Sequence, residues 1–312
     1  MTSPRLAGID LGSNTVRLLV VEVGDAGGWR VVDQDQRVTR LGEGLAASGR
    51  LGETPMARTA ATIVEYAGRA VRAGAREVRV VATSAVREAV NGGDFVTALA
   101  RAAGVRVDVV SGEDEARLTV RGIAAGLGRG AGSMLAFDIG GGSTEFTLAR
   151  DGQVTATVSL GLGVVPLAER YPFPGAVDAG RYGALEREIR QRLATELPVT
   201  IRCSGLADLV GTAGTVTTLA ALDLGLAAYD AARVQGHRLA RPAVERLRDR
   251  LSALTVRERG DLPCLEPGRA DLIVPGVAIV LAALDATGTA GVVVSDWGLR
   301  EGIMAEAVER WR

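Results

Sequence analysis

Two short stretches of this 312-residue chain repeat one local plan. "LAGIDLGSNTVRLLV" (6–20) and "LAFDIGGGSTEF" (135–146) each run from an apolar strand into Asp-x-Gly, pass through small and hydroxyl residues, and enter a second apolar run. Apolar and β-branched runs on either side of a glycine-bearing turn read as hairpins. One turn met twice implies two domains of one architecture, and the length agrees, because a chain this long outgrows a single core. The doubling also has a chemical meaning. Two such turns on opposite walls of a cleft would form a pincer for an anion, with a metal between Asp10 and Asp138.

The segments between the turns support an α/β reading. "TPMARTAATIVEYAGRAVRAG" (54–74) has helical spacing and a stop at Gly74, and "REVRVVATSAVREAV" (76–90) reads strand, loop, helix. "VRVDVVSGEDEARLTVRGIAAGL" (105–127) reads strand, turn, helix. A hairpin followed by β-α alternation is the pattern of a mixed sheet flanked by helices. After the glycine-rich "GLGRGAGS" (126–133) the hairpin returns, with helices expected over 180–196, 241–254 and about 275–287. "ADLVGTAGTVTTLAAL" (207–222) reads strand, glycine-rich turn, helix, "GVVVSDWG" (291–298) a strand, and the end of the chain an amphipathic helix. The longest apolar run, "IVPGVAIVLAAL" (273–284), is interrupted by Pro275 and is too short to span a bilayer. No signal-peptide pattern opens the sequence, so a soluble cytoplasmic protein with no membrane partner is expected.

Charge and rare residues prune the chemistry. A net charge of −1 provides no global attraction to nucleic acid or membrane, so an anion site must be local. All 36 basic residues are arginine, which rules out the lysine of a Walker-type phosphate loop. Phosphate must then be held by arginine, backbone N–H groups or metal. Two cysteines, Cys203 and Cys264, make no disulfide framework and suit a reducing compartment. The single histidine, His237, has no nucleophile elbow nearby and cannot build a zinc site with two distant cysteines; it reads as a packed or surface residue.

In "DIGGGSTEF", Gly140, Gly141 and Gly142 let successive N–H groups converge on one anion, and Ser143 and Thr144 add hydroxyls. Asp138 at the strand end is placed to hold Mg²⁺, with Glu145 able to join it; the bland alternative is a glycine-rich hairpin with no ligand. In "VVSGEDEARL" (109–118), Ser111 and Asp114 form a capping-box-like helix start, which accounts for Glu113 and Asp114 but less readily for Glu115. Facing a cleft, Glu115 would deprotonate an attacking water. Arg87, in "VVATSAVREA", is able to fork two phosphate oxygens or to lie solvated, and Arg17 after the first turn is similarly placed. "GTAGT" suits either an anion at a helix start or a plain N-cap.

Together "DLGSNTVRLLV", "ATSAVREA", "SGEDEARL", "FDIGGGSTEF", "GTAGTVTTLAAL" and "SDWGLREGI" resemble, in that family's order, the exopolyphosphatase / guanosine pentaphosphate phosphatase family, a branch of the actin and hexokinase superfamily. The resemblance covers nearly the whole chain. It implies two actin-like (ribonuclease H-like) domains, 1–120 and 121–297, with mixed sheets flanked by helices, an interdomain active-site cleft, and the last helix (298–312) packed back onto the first domain. It implies a short two-domain member without the C-terminal helical domains of longer ones. Its roles place Glu115 as the base and Arg87 on the terminal phosphate. Asp10, Gly12, Ser13 and Asn14 form one turn, and Asp138, Gly140, Ser143 and Glu145 line the phosphate and metal pocket. Arg17 departs from the family's best-studied members, which have His there. The implied activity is exopolyphosphatase, with Mg²⁺ or Mn²⁺ as cofactor and a homodimer as the assembly. Hydrolysis of guanosine pentaphosphate is the near alternative. A sugar or acid kinase and a non-catalytic nucleotide-binding module are the more distant ones.

Overall fold

The computed structural model of the protein describes residues 3–24, 28–128, 132–207 and 209–311. Residues 129–131 of the glycine-rich connection, 208 of the strand–turn–helix segment and 312 of the last helix lie outside the described residues. The chain divides into two compact units, Met1–Gly122 with Gly298–Arg312, and Ile123–Trp297.

The first unit opens with an antiparallel meander of β1 (Arg5–Leu11), β2 (Thr15–Val23) and β3 (Trp29–Val38). Then come α1 (Leu45–Ser48), α2 (Glu53–Arg72), β4 (Ala75–Ala82), α3 (Ser84–Glu88), α4 (Gly92–Ala103), β5 (Arg106–Val109) and α5 (Gly112–Gly126). β4 and β5 add in parallel, giving the sheet order β3-β2-β1-β4-β5. Strand alternation divides the apolar residues between two faces. Ala7, Ile9, Leu11, Leu18 and Val20 join one core with Ile63 and Tyr66 of α2 and Leu99 of α4. Leu6, Leu19 and Val21 face the other way, with Leu118 of α5. Both faces are therefore covered, as central parallel strands require.

The second unit repeats the plan. β6 (Met134–Ile139), β7 (Thr144–Arg150) and β8 (Gln153–Leu160) form the meander. They are followed by α6 (Val164–Arg170), α7 (Ala179–Glu196), α8 (Val199–Arg202), β9 (Leu209–Thr212), α9 (Ala213–Asp223), α10 (Ala231–Val234), β10 (Arg238–Ala240), α11 (Arg241–Ser252), α12 (Val256–Gly260), α13 (Ile273–Thr287) and β11 (Gly291–Val294). The sheet order is β10-β11-β9-β6-β7-β8. Reading β8-β7-β6-β9-β11 against β3-β2-β1-β4-β5 gives the same path twice, with β10 added at one edge. The doubled turn is thus the visible end of a doubled fold.

Two details depart from the sequence reading. The glycine-rich turn expected in 207–222 is a single residue: β9 runs directly into α9 through Ala213, a non-glycine residue at φ 68°. Pro275 does not interrupt its apolar run but lies in the first turn of α13, where its missing N–H costs nothing. That helix is buried on all sides, which explains a composition without amphipathic pattern. Among the described residues no helix is long and apolar enough to cross a membrane.

The chain returns to the first unit as α14 (Leu299–Arg310), which packs Ile303 and Met304 on the Leu6, Leu19 and Val21 face. Its contact with α5 is backbone on backbone. A Cβ on Gly302 would lie 1.9 Å from the Leu118 carbonyl oxygen, and one on Gly122 would lie 2.0 Å from that of Gly298. Arg79 of β4 and Arg117 of α5 both reach Glu306 of α14, at 2.7 and 2.9 Å.

Candidate phosphate-binding site

In the first unit, β1, β4 and β5 end side by side, because Leu11 pairs with Ala82 and Ala82 with Val109. Three candidate segments therefore leave the sheet at one edge, the carboxyl edge at which ligands bind in open α/β sheets. They are the 12–14 turn, α3 with Arg87, and the start of α5 with Glu115. Asp10 and Arg17 are direct cross-strand partners, 3.7 Å apart between carboxylate and guanidinium. Gly12 N–H closes the turn onto Thr15 O at 3.1 Å. The Ser13 hydroxyl is buried and meets the Ser84 hydroxyl at 2.9 Å, tying the turn to α3. Arg87 donates from Nη1 to Glu115 Oε2 (3.0 Å) and to Val110 O (2.9 Å). The amide oxygen of Asn14 is buried without a hydrogen-bond partner. An orphaned acceptor of this kind calls for a donor such as water rather than for a phosphate oxygen.

In the second unit, Asp138 pairs with Glu145 across β6 and β7, and Glu145 pairs with Ser159 of β8. Directly opposed residues share a face, and two like charges placed so repel each other. Ser159 Oγ donates to Glu145 at 2.6 Å. These two hard oxygen donors fit Mg²⁺ or Mn²⁺, since Mg²⁺ commonly takes one or two carboxylates and completes its shell with water and phosphate. Among the described residues no group of three or more His, Cys, Asp and Glu side chains could hold a metal without such help. Beyond Asp138 the turn passes through Gly140, Gly141, Gly142 and Ser143, closed by Gly140 N–H on Ser143 O at 2.9 Å. Thr144 corrects one expectation: it is fully buried and its hydroxyl donates to Leu162 O at 2.7 Å, so that proton packs the turn instead of facing a ligand.

Thr212 pairs with Asp138, which brings the start of α9 beside the 140–143 turn. No side chain caps α9; the Thr212 hydroxyl donates to Trp297 O at 3.2 Å. Arg269 lies over this helix start, close enough that a Cβ on Gly214 would sit 1.7 Å from its Nη1. Sequence reasoning missed Arg269, which stands in no local pattern that marks it; Ser84 stands in "VVATSAVREA" but carried no site role there. His237 Nε2 lies 2.9 Å from Asp223, and its carbonyl accepts from Val294 N–H at the end of β11.

The model of the Ppx/GppA phosphatase family matches residues 19–311 of this chain. The chain belongs to the Ppx/GppA phosphatase family. Among Ppx/GppA relatives, exopolyphosphatase 2 of Mycobacterium tuberculosis is 35% identical over 288 residues, covering 90% of this chain and 90% of its own. Exopolyphosphatase 1 of the same organism is 32% identical over 306 residues, covering 98% of this chain and 88% of its own. The crystal structure of the Aquifex aeolicus Ppx/GppA family member superposes with a TM-score of 0.82 at 30% identity, covering 99% of each chain. The two mixed sheets flanked by helices are thus the Ppx/GppA fold.

Proposed function

We propose that this protein is an exopolyphosphatase, a phosphoanhydride hydrolase that releases terminal orthophosphate from linear polyphosphate. The observation that carries this is the bonding of Arg87. Its Nη1 serves Glu115 and Val110 O, while Nε and Nη2 make no hydrogen bond among the described residues. That leaves a two-pronged edge suited to phosphate oxygens directly beside a carboxylate. Relatives at 35% and 32% identity bear the name exopolyphosphatase, which favours polyphosphate over guanosine pentaphosphate.

Glu115 takes a proton from water as the water oxygen bonds to the terminal phosphorus. The bond from that phosphorus to its bridging oxygen breaks, and the shortened polyphosphate leaves with the electron pair. Arg87 orients the terminal phosphate and holds Glu115 in place. The 12–14 turn with Arg17 is the candidate contact to non-bridging oxygens in the first unit, and the N–H groups of Gly141, Gly142 and Ser143 are that of the second. Asp138 and Glu145 would hold a divalent cation in the second unit, and Asp10 would take the same role in the first. When bound, that ion neutralises charge on the phosphate oxygens. A reducing, cytoplasmic setting accords with Cys203 and Cys264, both free thiols.

The test is phosphate release from long polyphosphate and guanosine pentaphosphate, with and without Mg²⁺, by wild type and Glu115→Gln. Turnover of polyphosphate that falls roughly 10³-fold in Glu115→Gln is expected. Preference for guanosine pentaphosphate would reassign the substrate, and no turnover of either by folded protein would overturn the hydrolase reading.

A further inference from the structure

Each glycine turn is backed by the segment that follows the third strand of its meander. In the second unit, Val164 N–H donates to Gly140 O at 3.2 Å and Val165 N–H to Gly141 O at 2.9 Å. A trans peptide is planar, so its N–H points away from its C=O. Binding the carbonyls of Gly140 and Gly141 from the α6 side therefore turns the N–H groups of Gly141 and Gly142 to the opposite side. Those two N–H groups and that of Ser143 donate to no acceptor among the described residues. The close approach depends on Gly163. A Cβ there would lie 2.1 Å from the Gly142 carbonyl carbon, 2.2 Å from Gly141 O and 2.4 Å from Gly142 Cα. Backbone conformation makes no such demand, because Gly163 has φ −86° and ψ 157°, which any residue adopts.

The first unit repeats the device. After β3, Thr39 and Arg40 N–H groups donate to Asn14 O, both at 2.9 Å, and Gly42 N–H donates to Ser13 O at 2.8 Å. The Asn14 N–H is thereby turned away from the backing segment. Here the packing is looser: a Cβ on Gly42 would find its nearest atom, Ser13 Cβ, at 3.3 Å. One arrangement built from unrelated residues in two units points to a task beyond closing a meander.

We infer that Leu162–Val165 is the platform that aims the N–H groups of the 140–143 turn at phosphate, with Gly163 as its positioning residue. The inference rests on reading that turn as phosphate-binding. Gly163 touches no substrate; it acts by letting α6 fix two peptide planes. A preorganised N–H pair avoids reorientation during reaction, and losing one such donor typically costs 10²–10³ in rate.

The test follows the ¹⁵N-glycine amide signals of Gly141 and Gly142 during addition of orthophosphate, alongside polyphosphate turnover, for wild type, Gly163→Ala and Val164→Pro. The second variant keeps the helix, because proline suits its first position and Gly163 already has the extended conformation that precedes proline. It replaces the N–H donated to Gly140 O with a ring carbon that displaces that carbonyl, so it disturbs the same backing contact and decides the matter if Gly163→Ala fails to fold. Both wild-type signals are expected to move with phosphate. In folded variants the shifts shrink and kcat falls, about 100-fold in Gly163→Ala. Folded variants with wild-type shifts and kcat within about twofold would overturn the platform. Wild-type amides that ignore phosphate would overturn the phosphate-turn reading and the platform with it. Amides that respond without polyphosphate turnover would leave the platform standing and reject only the proposed substrate.

Discussion

Arg87 and Glu115 are each other's partners before any substrate arrives. Their contact, at 3.0 Å and mostly shielded from solvent, restrains a carboxylate that would otherwise sample several rotamers at the start of α5. Substitution of Arg87 therefore tests two roles together. Lysine would keep one positive charge but lose the planar fork, since an ammonium cannot serve Glu115 and two phosphate oxygens in fixed directions. Arg87→Lys is expected to lower kcat/KM on polyphosphate by about 100-fold, through both kcat and KM, with an unchanged melting temperature. A change confined to KM would show that Arg87 binds substrate without positioning Glu115. The neighbouring Ser13–Ser84 hydroxyl pair joins the turn to the helix that carries Arg87, so three candidate segments form one bonded group.

Two contacts built around arginine join elements within each unit. Arg259 of α12 is fully buried and donates to the carbonyls of Leu251, Phe173, Gly175 and Leu254. It closes the C-terminal end of α11 onto the loop before α7. Burial lowers its pKa without threatening its charge. Arg259→Ala strands these acceptors and is expected to destabilise the second unit by on the order of 3 kcal/mol, measured by denaturant unfolding. Unfolding at the wild-type midpoint would contradict that. Glu306 is the corresponding joint of the first unit. Burial pushes its carboxyl up, but hydrogen bonds from Arg79 and Arg117 outweigh this and hold it below the ordinary value. A depressed carboxylate adds stability above its unfolded pKa, about 4.3, and loses it as pH falls through the folded one. Glu306→Gln should thus be less stable at neutral pH yet decline less steeply between about pH 5 and pH 3. Parallel stability curves for the two proteins would refute this.

For the whole molecule, the net charge of −1 offers a polyanion no global attraction, so on the proposed reading local donors and a cation have to supply it. The facing carboxylates of Asp138 and Glu145 repel without a cation and have no third carboxylate, His or Cys ligand among the described residues. Chelation is expected to abolish turnover while leaving circular dichroism unchanged, because each core is built from apolar contacts that no metal organises. Loss of secondary structure on chelation would instead make the ion structural. Asp138→Asn and Glu145→Gln should each raise the Mn²⁺ concentration needed for half-maximal activity.

Local pattern sufficed for the hairpins, the helix of 53–72 and the repeated turn, because periodicity and turn chemistry are properties of neighbours in sequence. It also placed Asp138 and Glu145 at the ends of adjoining strands, since a short turn dictates antiparallel register. It did not disclose that Ala213 alone makes the turn into α9. Nor did it pair Arg87 with Glu115, 28 residues apart, or bring Gly163 against Gly142. Such contacts depend on which strands lie side by side and how closely two backbones pass, and neither leaves a periodic trace. The amino-acid sequence by itself determined two copies of a strand–turn–strand unit and the residue types able to hold phosphate. Only the tertiary structure decided where those residues point, because side-chain direction and peptide orientation are set by the segments packed behind them.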